Sequence, residues 1–285
     1  NIMFMNTDGS VDSTVEINDS TANGPTLANG DQFGSDIADI GDLNNDGVND
    51  IAVGAIQDDA GGTNRGAVHI MYMNTDGSID STVEINDSTA NGPTLEDEDR
   101  FGRSVENIGD LNNDGVNDLA VGTYQADCVE CTGEDSGAVY IMYMNTDGSV
   151  DSTVEINDST ANGPAIIAGD WFGHSVANIG DLNSDDVNEI VVGASKDDDP
   201  KGGFVENGAI YIMYMNKDGS VDSTVGIMRS TTNGPATSWQ DLFGVSVANI
   251  GDLDGNGVND LVVGANSDDN GGNARGAVHI IFLDK

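Results

Sequence analysis

Oxygen-bearing side chains recur along this chain in one nine-residue spacing. Asp42, Asn44, Asp46 and Asp50 stand at positions 1, 3, 5 and 9 of the first copy. The spacing returns with Asp110, Asn112, Asp114 and Asp118, then with Asp181, Asn183, Asp185 and Glu189, and again with Asp252, Asp254, Asn256 and Asp260. A hard cation asks for this arrangement. Calcium takes about six to eight oxygen ligands, and alternate residues of a tight loop can aim their side chains at one point. Gly47, Gly115 and Gly257 fill position 6, where the missing Cβ permits a sharp turn. The seventh residue of each copy, Val48, Val116, Val187 or Val258, is placed to offer its backbone carbonyl. The expectation is four Ca²⁺ sites, one per copy. The third copy departs from the pattern: Asp186 replaces the glycine and Glu189 the last aspartate.

Asp, Asn and Gly are also the residues of ordinary solvated turns. What favours metal is four copies in equivalent places, each followed by a short apolar run. A second acidic pattern, Asn6 to Asp12, imitates part of the loop and recurs at 74, 145 and 216. Its first position is Phe4, Tyr72, Tyr143 or Tyr214, none of them a carboxylate, so a plain hairpin turn is expected there.

The elements that must position these loops come from a repeat. The segment Met5 to Pro25 returns nearly unchanged at Met73 to Pro93, unchanged at Met144 to Pro164 and diverged at Met215 to Pro235. The acidic loops begin at 42, 110, 181 and 252, so the repeat is about 70 residues long, spaced 68, 71 and 71. Each unit shows four strand signals. In the first these are an alternating run from Phe33 to Leu43, a short apolar run from Ile51 to Ala55, a β-branched and aromatic run from Gly66 to Met73, and an alternating run from Ile79 to Ile85. An Asp-Gly turn joins the last two. Four-stranded units repeated in this way are the blades of a β-propeller. The fold expected is all-β: one propeller of four-stranded antiparallel blades, with repeat units at 1–30 (partial), 31–98, 99–169, 170–240 and 241–285 (partial).

The motifs also carry a family resemblance. Phe33-Gly34, Phe101-Gly102, Phe172-Gly173 and Phe243-Gly244 open the units, and Gly54-Ala55, Gly122-Thr123, Gly193-Ala194 and Gly264-Ala265 follow the acidic loops. Together with the DxDxDG-like loops, these offsets resemble the FG-GAP repeats of integrin α-chain β-propellers across essentially the whole chain. The resemblance implies calcium held between the first and second strands of each blade, on the face away from most ligand-binding loops. The proline of the motif's name is absent, replaced by Ile56, Tyr124, Ser195 and Asn266, and four repeats stand where integrin propellers have seven blades. Gly276 to Leu283 reads as a third strand with no fourth after it, and Val11 to Ile17 as a fourth with no blade before it. Their pairing would close the ring. Asn1 to Met5, however, duplicates the third strand, so the piece is displaced, or the chain is cut from a longer array, or the strand adds to a neighbouring copy.

Composition narrows the partners. Nine basic against 50 acidic residues give a net charge of −41, which repels nucleic acid and anionic membranes alike. No apolar run approaches the roughly 18–20 residues of a membrane span, so no direct membrane insertion is expected. The N-terminus has neither an initiator Met nor the charged and apolar regions of a signal peptide, which suits a mature product or an excised segment. Cys128 and Cys131 form a lone CxxC, read most plainly as a small disulfide in an oxidising compartment. The reading is an extracellular or cell-surface calcium-binding module for adhesion or for a protein or glycan ligand, and not an enzyme. A structural subunit of a fibre or sheath, self-assembled through its terminal strands, is the alternative. An accessory domain of a hydrolase or lyase is a third reading, disfavoured because pairs such as Asp58-Asp59 lie in loops that look solvated. Trp171 and Trp239, near the Phe-Gly strands, are read as core packing rather than as glycan platforms.

Overall fold

The computed structural model describes residues 1–127, 135–199, 206–269, 272 and 274–284. Cys128 and Cys131 lie outside the described residues. Seventeen strands and no helix occur among those described. The strands β1 (Ile2–Met5) and β2 (Val11–Val15) form a two-stranded half-blade. Blade one is β3 (Phe33–Gly41), β4 (Asp50–Ala55), β5 (Ala67–Met73) and β6 (Ile79–Ile85), hydrogen-bonded in that order. Blade two is β7 (Ser104–Gly109), β8 (Asp118–Thr123), β9 (Ala138–Met144) and β10 (Val150–Ile156). Blade three is β11 (Phe172–Gly180), β12 (Glu189–Ala194), β13 (Ala209–Met215) and β14 (Val221–Ile227). Blade four has β15 (Phe243–Gly251), β16 (Asp260–Ala265) and β17 (Ala277–Ile281). All neighbours pair antiparallel, and the four sheets are arranged as a four-blade β-propeller.

Position within the blade explains each strand's composition. β5, β9 and β13 carry apolar side chains on both faces because neighbouring blades cover them on both sides. Val68, Ile70, Met71 and Met73 are all buried, each burial contributing about 1.5–3 kcal/mol. The outermost strands alternate, because one side faces water: Ile79 and Ile85 are buried while Asp80 and Ser81 are exposed. Between blades one and two, Ile70, Tyr72 and Ile85 pack with Met142, Met144 and Val150. The Tyr72 hydroxyl donates to the Thr146 carbonyl at 3.0 Å, and Tyr143 repeats this one blade on, donating to Lys217 at 2.9 Å.

The Phe-Gly and Gly-Ala pairs mark one close approach. Phe101 and Phe172 sit edge-on to Tyr140 and Tyr211 of their own blades, at centroid distances of 5.8 and 6.0 Å. The glycine after each phenylalanine then turns its carbonyl toward the preceding blade, where Gly54, Gly122 or Gly193 lies against it. A Cβ on Gly122 would stand 2.0 Å from the Gly173 oxygen.

The expected closure by pairing of the N- and C-terminal strands is not what the structure shows. β2 pairs only with β1, and β17 only with β16. The cause is the duplicated third strand: β1 occupies the edge of β2 that β17 would need, with Ile2 opposite Val15. The half-blade is in turn held on blade one, where Ile2 and Ile17 pack against Val53, Met71, Met73 and Ile79. The inner strands still converge. Asp36, Arg103, His174 and Val245, one near the start of the inner strand of each blade, line a central cavity of about 330 Å³.

Candidate metal loops and the opposite face

Each acidic loop joins the first two strands of its blade, and all four emerge at one end of the propeller. In the first, the Asp42 carboxylate accepts the backbone N–H of Asp46 at 2.9 Å and of Gly47 at 2.8 Å. Asn44 Oδ1 also accepts from Asp46 N–H, and Asp46 accepts from Val48 N–H, both at 2.9 Å. The second loop repeats this frame with Asp110, Asn112, Asp114 and Val116. The third does so with Asp181, Asp185 and Val187, and the fourth with Asp252, Asp254, Asn256 and Val258. Local bonds thus fold the chain so that positions 1, 3 and 5 face inward.

Position 9 has a second task. Asp50 is fully buried, accepting Leu43 N–H at 3.0 Å from its own loop and Met73 N–H at 3.0 Å from the third strand. Asp118 does the same with Leu111 and Met144, and Asp260 with Leu253 and Leu283. Burial raises the pKa of Asp50 and pushes Asp118 up to about 7. Glu189, one methylene longer, accepts Leu182 N–H at 2.5 Å through Oε2. Its Oε1 is buried without a partner, and burial pushes its pKa up to about 7.

Carboxylate oxygens of Asp181, Asp185 and Glu189 come within 4.8 Å of one another, and so do those of Asp252, Asp254 and Asp260. Among the described residues no such triple forms in the first two loops, where Asp42, Asp46 and Asp50, or Asp110, Asp114 and Asp118, stand in the same frame but less closely gathered. Three like charges at that spacing repel, and the Glu189 oxygen is a buried acceptor with nothing to accept from. An all-oxygen donor set of this kind fits a hard divalent cation. The hairpins that imitate the loop are plain turns. Asp8, Asp76, Asp147 and Asp218 each accept both the N–H and the hydroxyl of the serine two residues on, which lowers their pKa values.

The opposite end carries different chemistry. The alternating strands bring the loops after each second and fourth strand to this end, and most of the few cations lie there. Tyr124, Trp171 and His174 cluster with centroid separations of 5.2 to 5.9 Å. Lys196 Nζ lies 3.5 Å from the centroid of Trp171, and Arg103 Nη2 is 2.8 Å from His174 Nε2. Burial, then Arg103 and Lys196, hold the His174 imidazole neutral, its pKa down at about 3. Trp239, expected in the core, is 68% exposed beside a cleft of about 490 Å³ shared with Lys196, Glu206, Gln240 and Asp269. Sequence reasoning missed this cleft, because nothing near Trp239 marks it as solvent-facing.

Comparison with known proteins agrees with this geometry. The family model for the FG-GAP repeat matches residues 36–71, 101–142 and 243–281. The matched segments skip blade three, the one whose loop has Asp186 and Glu189. Integrin alpha-6 from Gallus gallus is 36% identical over 166 residues, covering 58% of this chain and 14% of the relative. Integrin alpha-5 from Xenopus laevis is 34% identical over 171 residues, covering 58% and 14%. Integrin alpha pat-2 from Caenorhabditis briggsae is 29% identical over 238 residues, covering 79% and 17%. The chain therefore spans about a sixth or less of these relatives. FG-GAP repeats at these segments therefore lie on blades one, two and four of the β-propeller, which is similar there to part of integrin α chains.

Proposed function

We propose that this propeller is an extracellular or cell-surface binding module for adhesion, held rigid by calcium and without enzymatic activity. The observation that supports the reading is the separation of two chemistries onto opposite ends. Oxygen donors fill one end, while the other offers the exposed Trp239 beside Lys196 and Gln240. Calcium would be held by Asp42, Asn44, Asp46, Val48 and Asp50 in the first loop and by their counterparts, about four ions in all. When bound, the cation supplies positive charge that offsets the repulsion among loop carboxylates. The chain's own residues then fix the loop to the blade through Asp50, Asp118 and Asp260. Ion binding and folding are coupled on this account. The ligand would be a protein or a glycan that stacks an apolar face on Trp239 and hydrogen-bonds to the cleft.

Calorimetric unfolding with calcium and with excess chelator tests the first half of the proposal. A rise in midpoint with close to four ions bound supports it, and an unchanged midpoint sinks it. Binding to glycan and extracellular-matrix arrays, compared with that of Trp239→Ala, tests the second half. A ligand whose retention is unaffected by that change would move the binding site elsewhere.

A further inference from the structure

Blade three departs from its neighbours around its outermost strand. In blade two, Glu155 stands across from Tyr140 and accepts from Asn157 Nδ2 at 2.7 Å. In blade one, Glu84 stands across from His69 and accepts from Asn86 Nδ2 at 2.6 Å. Blade three has Gly226 across from Tyr211, and Met228 in the place of the asparagine. The linker beside it changes in the same sense, with Ala165 and Ile167 in the places of Thr94 and Glu96. Four positions that are polar in blade two have become small or apolar, and all four line one cavity of about 560 Å³. That volume is in the range of small-molecule sites. The linker is held as in blade two: Thr224 Oγ1 donates to the Asn162 carbonyl at 2.7 Å, as Thr153 does to Asn91.

The polar groups left in the cavity are acidic. Asp170 from the linker and Asp197 from the loop after β12 both line it, each only 3% exposed. Asp170 accepts Ile167 N–H, and Asp197 accepts the Tyr211 hydroxyl at 2.5 Å. Blade two has Ala126 in the place of Asp197. Among the described residues no Lys, Arg or His lines the cavity to balance the two carboxylates. Burial pushes the pKa of Asp170 up to about 8 and that of Asp197 to about 7, so a positive charge beside them offsets a real cost. A bare metal ion asks for converging oxygens. Among the described residues only the third and fourth acidic loops bring three carboxylate oxygens within 4.8 Å of one another. A primary ammonium has no such need, because its three N–H groups reach separate acceptors.

We propose that this cavity binds a primary alkylammonium ion, with its charge on Asp170 and Asp197 and its chain along Ile167, Met228 and the Tyr211 ring. Gly226 makes the room. A Cβ there would meet Met228 Cε at 3.1 Å and Tyr211 Cε1 at 3.2 Å, so a longer side chain takes the space beside the ring that the ligand needs. The apolar wall rewards an alkyl body, and the two carboxylates select a charged head over a neutral one. Among the described residues the cavity shares none with the cleft beside Trp239, so it is a second site and not an extension of the first.

Isothermal titration with n-hexylammonium tests the proposal, at about pH 8, where a primary ammonium stays charged. Calcium and moderate salt are kept in excess, so that the acidic loops and the general surface charge do not compete for the amine. The unaltered chain should bind one equivalent saturably, and 1-hexanol, its neutral counterpart, at least about tenfold more weakly. Gly226→Glu, which returns the residue of blades one and two, should abolish that binding although it adds negative charge. Asp170→Asn should weaken it at least about tenfold with the fold intact. Trp239→Ala should bind as the unaltered chain does. Nα-acetyl-lysine amide separates two sources of the same chemistry: binding equal to that of hexylammonium supports a lysine side chain as the occupant, and weaker binding supports a free amine. Three results would overturn the proposal: no saturable binding of hexylammonium, equal binding of hexanol, or binding that survives unchanged in both Gly226→Glu and Asp170→Asn.

Discussion

The buried Asp118 carboxylate accepts the Met144 backbone N–H at 3.1 Å, tying an acidic loop to the third strand of its blade. Its other oxygen holds Leu111 N–H at 2.9 Å. This makes position 9 of the loop structural before any ion is considered. Asp118→Ala leaves two buried N–H groups without acceptors, each costing about 1–3 kcal/mol. The variant should therefore melt earlier even in excess chelator. Asp114→Ala, by contrast, removes an acceptor for Val116 N–H at the exposed loop, so it should cost less than Asp118→Ala in chelator and show most of its loss of stability when calcium is present. Thermal melts of both variants, with calcium and with chelator, separate the two roles. Equal behaviour in chelator would show that Asp118 acts solely through the ion.

Gly122 and Gly173 set the distance between blades two and three. A Cβ on Gly122 falls 2.0 Å from the Gly173 carbonyl oxygen, and one on Gly193 falls 2.0 Å from that of Gly244. Neither carbonyl can move without shifting its blade, so Gly122→Ala and Gly193→Ala should each cost about 3 kcal/mol or more. Gly264 is the same motif position in blade four, but an added Cβ there meets only the Ser246 hydroxyl at 2.5 Å and the Val245 side chain and Ser246 Cβ at ordinary distances. Gly264→Ala should cost far less. Denaturant midpoints of the three variants check this ordering.

The third loop carries its own strain. Asp186 stands at φ +66, where its counterparts are the glycines 47, 115 and 257. A side chain in that region costs about 1–2 kcal/mol. Asp186→Gly should raise the melting midpoint by several degrees, since about 1 kcal/mol moves a domain of this size by roughly 2–4 °C. Adding Glu189→Asp should restore the paired acceptance seen at Asp118 and remove the orphaned oxygen. Calorimetry of the single and double variants measures both gains. If Asp186→Gly leaves the midpoint unchanged, the left-handed aspartate carries no strain, because its backbone bond to Asp181 is one that a glycine also makes.

Much of this was readable from the chain because repetition displays each position several times in different contexts. Met73 to Pro93 and Met144 to Pro164 show which residues travel together, and the strands, hairpins and acidic loops follow from that. The double bond of Asp118 was not readable: its second donor, Met144, lies 26 residues away, and no pattern in the loop points to it. Trp239 was misplaced for a similar reason, since an aromatic beside a Phe-Gly motif is buried or exposed according to neighbouring loops. The N- and C-terminal strands were paired on paper because each lacked one partner. In space β1 had already taken the edge of β2.

Asp170 offers a pH test away from the acidic loops. It is buried beside Asp197 and accepts Ile167 N–H at 2.7 Å. Burial, and then the Asp197 charge, push its pKa up to about 8 from an ordinary 3.8. The folded protein therefore holds this proton more tightly than the unfolded chain does. Below pH 3.8 the group is neutral in both states and costs nothing. As pH rises from 3.8 toward 8, the unfolded chain ionises while the folded one resists, and stability falls across that window. Asp170→Asn keeps the acceptor for Ile167 and removes the ionisable proton. It should have little effect on the melting midpoint near pH 4 and raise it near pH 8, relative to the unaltered chain. The difference between the two proteins is the measurement, because acidic groups common to both cancel. A variant less stable than the parent at both pH values would mean that the ionised Asp170 carboxylate holds Ile167 and the Asp198 backbone better than a neutral amide can.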